Sequence, residues 1–342
     1  MKPDWISAHI FYNNDLHPLL VDCVRPLIGL LRERGLLSRY FFVRYWEGGS
    51  HVRLRMLPTD VTAVPEIKAI LEDSIGSFLT VRPALFDHLS KMMGPSHSKM
   101  FELEYGRAAL LEKYGPSGEI PYYPNNSIHY IGYEPEVVRY GGPAGMEIAE
   151  KHFEISSDTV LTYLHETNTH VRSVLLGQSF QIMLDMVLTL LRHEERIAGF
   201  LDSYLTFWNS NYFKQTLELL PKAARAYDRS VKSLQDRVYE SFARERCATQ
   251  SSLAVESRWL QHAVGLREDL EDAISRGLLI FPPHADRMRS GIEFLLTSYI
   301  HMTNNRLGIS IPDEVYLAYL IRRSMDGIGS ELNEHLSVAA LS

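Results

Sequence analysis

The chain has 342 residues, 45% of them hydrophobic and 23% charged, with a formal net charge of −7. This is an ordinary globular composition, long enough for one large domain or two smaller ones, and it excludes fibrous, low-complexity and disordered classes. The acidic balance also argues against a general nucleic-acid binder, so any basic site must be local.

Trp5–Tyr12, WISAHIFY, reads as a strand rich in aromatic and β-branched residues. Asn13-Asn14-Asp15 can cap the helix that follows, Leu16 to Gly35, whose apolar residues recur at helical spacing. Pro18 is tolerated in its first turn, whereas Pro26 is interior and should kink it. Tyr40–Met56, YFFVRYWEGGSHVRLRM, is a hairpin closed at Glu47-Gly48-Gly49-Ser50. A four-residue loop sets Trp46 against His51, Arg44 against Arg53 and Phe42 against Arg55. That register puts Arg44, His51, Arg53 and Arg55 on one face. Two guanidinium groups about 5 Å apart repel by roughly 3 kcal/mol at an effective dielectric near 20. A preorganised seat for an anion accounts for such crowding, because arginine forks match carboxylates and phosphates. A solvated outer face is the plainer alternative.

Thr59-Asp60 opens a helix to about Gly76. Arg82–Met93 is a short helical candidate and Phe101–Tyr114 a second element, followed by the Gly/Pro/Asn-rich loop GPSGEIPYYPNNS and a strand at Ser127–Tyr133. From Gly145 the pattern is helical: 145–154, 157–165, 172–193, 196–208, 211–219, 221–243, 250–276, 284–303, Asp313–Arg323 and a short tail helix. The expectation is an α+β fold, read as one domain over 1–342. Its sheet-containing part is about 1–142, antiparallel or mixed, and its helical part about 143–342. Apolar faces in the helical half are compatible with a homodimer. Cys23 and Cys247 give neither a metal spacing nor a disulfide framework. No signal-like opening and no long apolar run are apparent, so the cytoplasm is the default and no membrane partner is expected.

The chain lacks GxGxxG, Walker A and HExxH patterns. His165 and His170 are five apart and miss the i,i+4 register of a shared helix face, so no metal site is expected. His193-Glu194-Glu195-Arg196 reads as an exposed helix face. Tyr122 and Tyr123 belong either to a packed lid or to a peptide contact. Arg139-Tyr140-Gly141-Gly142 is either a tight reversal presenting Arg139 or a plain lead-in to a helix. His301 sits late in an apolar helix closed by Asn304, Asn305 and Arg306, where a lone histidine is more often a packing residue than a functional one. An arginine cluster, a turn arginine and a helix histidine would suit acid/base chemistry on an anionic substrate.

Four stretches taken together resemble one family: the opening strand and helix, YFFVRYWEGGSHVRLR, YEPEVVRYGG with PAGMEIAEKHF, and IHMTNNRLGI. They are similar to the elimination domain of class I lanthipeptide dehydratases, in the free-standing form found with thiopeptide-type and goadsporin-type peptides. The match runs from about Trp5 to Leu320. The resemblance implies removal of glutamate from glutamylated Ser or Thr of a ribosomally made precursor peptide, leaving dehydroalanine or dehydrobutyrine. It implies no metal or organic cofactor. It also implies a separate partner that transfers glutamate from glutamyl-tRNA, so this chain itself would not handle nucleic acid. Residue by residue, the family's elimination arginines fall on Arg53, Arg55 and Arg139, and its histidine on His301. Arg44, His51, Tyr140, Asn305 and Arg306 are further substrate-binding candidates. There are two departures: extra sequence at about Phe86–Asn126, and Val138 where the family has Glu. The same fold family includes enzymes that close a pyridine ring by a formal [4+2] cycloaddition. They largely lose the arginine–histidine set, so its retention favours elimination. A non-catalytic, leader-carrying subunit is the third reading.

Overall fold

The computed structural model describes residues 4–86, 97–103, 105–212, 216–247, 255–281 and 291–326. The chain divides into two compact units, Met1–Pro135 with Val160–His165, and Glu136–Thr159 with Glu166–Ser342. Together they make an α+β fold, with the strands in the first unit and long helices filling the second.

In the first unit, β1 (Ile6–Phe11), β2 (Leu37–Tyr45), β3 (His51–Pro58) and β4 (Ser127–Tyr130) form one antiparallel sheet in the order β2-β3-β1-β4. Asp15 caps α1 (Leu16–Pro18) by accepting from the His17 amide. A π segment, Leu19–Val24, joins α1 to α2 (Arg25–Glu33). The kink expected at Pro26 takes this form. Proline has no N–H to offer, and the widened turn lets the Arg25 amide reach the Leu20 carbonyl instead. Asp60 caps the turn before α3 (Val64–Val81), which runs five residues past Gly76. One sheet face is an apolar floor in which Ala8, Ile10, Tyr40, Phe42, Val52, Leu54 and Met56 are all at 0% exposure. Each of the Ile, Phe, Val, Leu and Met side chains contributes about 1.5–3 kcal/mol by leaving water.

Residues 83–86 of the helix expected at Arg82–Met93 are not helical, and 87–93 lie outside the described residues. Phe101–Tyr114 is broken at Gly106 (φ +88°), so α4 is Arg107–Tyr114. Phe101, Leu110 and Ile120 form a small satellite core against Trp46 and Tyr114.

Gly142–Glu166 forms α5 as one helix rather than the two expected. The gap expected at 155–156 closes: the Ser156 and Ser157 hydroxyls donate back to the Phe153 carbonyl at 3.1 and 2.7 Å and so stay inside the helix. The remaining elements are α6 (Arg172–Leu191), α7 (Glu194–Tyr212), α8 (Thr216–Cys247), α9 (Val255–Ser275), α10 (Gly291–Leu307) and α11 (Ile311–Asp326). Pro221, expected at a boundary, lies inside α8, where one lost backbone bond is small against 32 residues of helix. The expected tail helix falls outside the described residues.

By length and composition α6 is apolar enough to cross a membrane, contrary to the sequence expectation of no such run. Every residue from Ser179 to Leu191 is buried, which makes α6 the core of the helical unit. The Trp259 indole donates to the Ile182 carbonyl, Arg267 to the Thr189 carbonyl, and Ser179 to Asn304.

Candidate active-site residues

The hairpin register differs by one residue from the sequence expectation. Tyr45 pairs with His51, Val43 with Arg53 and Phe41 with Arg55, so the loop is 46–50. The cause is the turn: Gly48 and Gly49 have φ of +77° and +119°, and the Gly49 amide closes on the Trp46 carbonyl. A one-residue slip moves a whole strand's side chains to the other face. Arg44 consequently leaves the arginine face and pairs with Val52 on the apolar side, where burial pushes it down to about 10 against the pull of Asp15.

The face that holds Arg53 and Arg55 is richer than the sequence implied. Across it run Phe41, Val43 and Tyr45 of β2, then Arg55, Arg53 and His51 of β3. Ser7, His9 and Phe11 of β1 come next, with His129 and Ser127 of β4 at the far edge. The guanidinium of Arg53 lies 3.4 Å from the Tyr45 ring centroid, and that of Arg55 lies 4.7 Å from the Tyr133 centroid. These ring faces replace part of the hydration that each cation gives up. Arg53 Nε donates to His51 Nε2 at 3.3 Å, while His51 Nδ1 bonds the Gly49 carbonyl at 2.8 Å. His9 stacks on His51 with centroids 5.1 Å apart.

Burial, reinforced by Arg53 and Arg55, pushes His51 down to about 3, although the Gly49 carbonyl and Glu47 oppose the shift. Burial first, then Arg53, His51, Arg55 and His129, pushes His9 down to about 2. Both imidazoles are therefore neutral beside two permanent cations. Among the described residues, the buried Ser7 Oγ and His9 Nε2 have no hydrogen-bond partner.

Glu47 stands at the hairpin tip, 3.6 Å from Arg53. Burial alone would raise its pKa, but hydrogen bonds from Lys113 and Tyr114 win and hold it below the usual carboxylate range. The region of extra sequence thereby seats itself on the hairpin. The Tyr123 amide donates to the Gly48 carbonyl at 3.0 Å, Tyr123 stacks on Phe11 and Tyr122 bonds His97 at 2.9 Å. Tyr122 and Tyr123 are packing residues of this cover.

In the helical unit, Gly141 and Gly142 adopt φ of +80° and +90°, and the Gly142 amide closes on the Val137 carbonyl. The chain reverses there and leads directly into α5. Arg139 projects from the turn, donating from Nε to Ser298 Oγ at 3.1 Å and from Nη1 to Glu136 at 3.2 Å. Ser298 is one helical turn before His301 on α10, and residues three apart are neighbours on a helix face. The fold so brings Arg139 and His301, 162 positions apart in sequence, to adjacent places.

His301 Nδ1 lies 3.0 Å from Glu314 Oε1 of α11, and Tyr204 of α7 donates to Glu314 Oε2 at 2.6 Å. Glu314 is fully buried while His301 keeps 21% side-chain exposure. The Trp208 ring packs against the imidazole with centroids 4.8 Å apart. Glu314, Tyr204 and Trp208 escaped the sequence reading. Following Ile311-Pro312-Asp313, Glu314 looks like a routine first-turn acid that complements a helix dipole.

Two substrate-binding candidates are interior instead. Tyr140 packs on Tyr299 and Phe153, and burial pushes its hydroxyl up to about 12. Arg306 is fully buried, bonded to Ser157 Oγ and the Met302 carbonyl, with its guanidinium over Phe153. Both serve packing, Tyr140 from the turn before α5 and Arg306 from α10, because both side chains are buried within the unit. Asn305 is half-buried on α10, whereas its neighbour Asn304 is in the core.

A family model described as lantibiotic biosynthesis dehydratase, C-terminal, matches residues 5–325. The chain belongs to this family. No curated protein sequence matches it. Among solved structures it is similar to TbtD, a pyridine synthase from thiomuracin biosynthesis, with a TM-score of 0.73 and 19% identity over 95% of this chain and 98% of that one. It is similar to TsrL with a TM-score of 0.63 and 16% identity, covering 95% of each chain. It is also similar to the tRNA-dependent lantibiotic dehydratase MibB from Microbispora sp. 107891, with a TM-score of 0.50 and 18% identity. That match covers 97% of this chain but only 28% of MibB. At these identities the likeness is one of fold.

Proposed function

We propose that this family member is a carbon–oxygen lyase that eliminates glutamate from glutamylated Ser or Thr of a ribosomally made precursor peptide, leaving dehydroalanine or dehydrobutyrine. The observation that carries the reading is the juxtaposition in the helical unit of Arg139, a turn-borne cation, with His301, a partly exposed imidazole backed by a carboxylate. The Arg53–Arg55 face of the sheet supports it as a second group of anion ligands.

The reaction removes the Cα proton of the modified residue and expels the glutamyl carboxylate from Cβ. Negative charge builds on the peptide carbonyl and on the departing carboxylate. Fixed cationic donors aimed at those atoms lower the barrier. Arg53 and Arg55 serve as ligands for the glutamyl group, and within the helical unit Arg139 serves the enolate oxygen and His301 the proton transfer. His51, neutral and bonded to Arg53, orients that guanidinium. The step as written uses no metal or organic cofactor. A separate enzyme supplies the glutamyl group from glutamyl-tRNA, so this chain meets the peptide and not the nucleic acid.

The test is a pre-glutamylated peptide followed by mass spectrometry. His301→Ala and Arg55→Ala leave it glutamylated; dehydration at the parent rate in both variants defeats the assignment. A pyridine-forming cycloaddition is the competing reading, favoured by the extent of the fold likeness to TbtD. A peptide already carrying dehydroalanines separates the two, because only a cycloaddition enzyme turns it into a pyridine macrocycle. A leader-carrying subunit would bind peptide, turn over neither substrate, and keep its binding in His301→Ala.

A further inference from the structure

We infer that Glu314 is the positioning residue for His301, fixing the imidazole with its proton on Nδ1 and leaving Nε2 as the nitrogen that takes the Cα proton. This rests on the elimination reading and adds to it which nitrogen reacts and in which role.

An ionised carboxylate only accepts hydrogen bonds. Tyr204 already donates to Glu314 Oε2, and the remaining oxygen lies 3.0 Å from His301 Nδ1. Glu314 is fully buried, so no solvent molecule substitutes for either donor. Nδ1 must then carry the proton, and in a neutral imidazole the lone pair falls on Nε2. Nε2 has no hydrogen-bond partner among the described residues, and the side chain keeps its partial exposure on the α10 face next to Ser298, where Arg139 is held. Trp208 covers one face of the ring and opposes its rotation about the side-chain bonds. Three elements, α7, α10 and α11, thus constrain one imidazole.

The chemistry balances with a base alone. Nε2 takes the Cα proton, and the C–H electron pair becomes the Cα=Cβ bond. The Cβ–O pair leaves on glutamate. A carboxylate is a stable anion at neutral pH, so its departure needs no proton donor. The imidazolium then returns its proton to water.

The experiment uses the full chain labelled with 15N-histidine, with the His301 signals located by comparison with His301→Asn. In the neutral ring the expected signature is a protonated Nδ1 and an unprotonated Nε2. Glu314→Gln is expected to lose that signature and to slow elimination of the pre-glutamylated peptide about 100-fold, with peptide affinity unchanged. Glu314→Asp restores part of the rate. Tyr204→Phe keeps the carboxylate and reduces the rate less. A native ring protonated on Nε2 overturns the inference, as does a folded Glu314→Gln variant that turns over at the parent rate. If Glu314→Gln does not fold, the native tautomer alone decides. Failure of the unmutated chain to dehydrate the pre-glutamylated peptide would sink the elimination reading itself, which is a separate outcome.

Discussion

The histidines of the two units keep opposite company. On the sheet, His9 and His51 lie beside Arg53 and Arg55, and burial among those cations holds them neutral. In the helical unit, His301 faces the buried carboxylate of Glu314. A third arrangement, His152 Nδ1 against His262 Nε2 at 2.9 Å, is buried in the helical core, and burial lowers both. The difference teaches that a histidine's neighbours decide its work. Beside guanidinium groups an imidazole supplies a hydrogen-bonding atom without adding charge. Backed by a carboxylate it is held in one orientation. Between helices it is a polar packing pair.

The largest expected effect separates the first two cases. His301→Ala should lower kcat for elimination by about 10²–10⁴-fold, the range for a lost acid/base group. His51→Gln should act mainly on KM, since it loosens Arg53 without removing the proton acceptor. Equal kcat losses in the two variants, measured on the pre-glutamylated peptide, would break the distinction.

Next in size is the turn that carries Arg139. A Cβ on Gly145 would lie 1.8 Å from the Tyr140 carbonyl oxygen. Gly145→Ala is expected to cost more than about 2 kcal/mol in chemical denaturation, and to reduce elimination because the Arg139 turn must move.

The neutral histidines give the third prediction. An unfolded chain protonates His51 near its ordinary value of 6.5, whereas the folded chain does so only at about 3. The unfolded state binds the extra proton in between, so stability is full above pH 6.5 and falls as pH drops through that window. One such imidazole accounts for about 1.4 kcal/mol between pH 7.5 and 5.5. His51→Gln should flatten the urea-derived pH profile by that amount; an unchanged slope would show that His51 is not held neutral. The smallest effect is a control: a Cβ on Gly76 meets nothing within 4 Å, so Gly76→Ala should stabilise α3 by about 0.5–1 kcal/mol.

Periodicity and punctuation in the sequence determined much of this. The alternation of β1 and of the hairpin, the caps at Asp15 and Asp60, and the 3.6-residue pattern of α6 are local, and local chemistry writes them. The motifs that singled out Arg53, Arg55, Arg139 and His301 were equally legible, because residue type and short spacing carry them. The one-residue register of the hairpin was not. It depends on positive φ at two glycines, and it moved Arg44 to the opposite face. Nor did Ser156-Ser157 reveal that their hydroxyls would return to the helix backbone. Glu314 is the furthest from sequence logic, for its meaning comes from Tyr204 and His301 across 110 and 13 positions. Sequence fixes what each side chain can donate or accept, and packing alone chooses which partner answers.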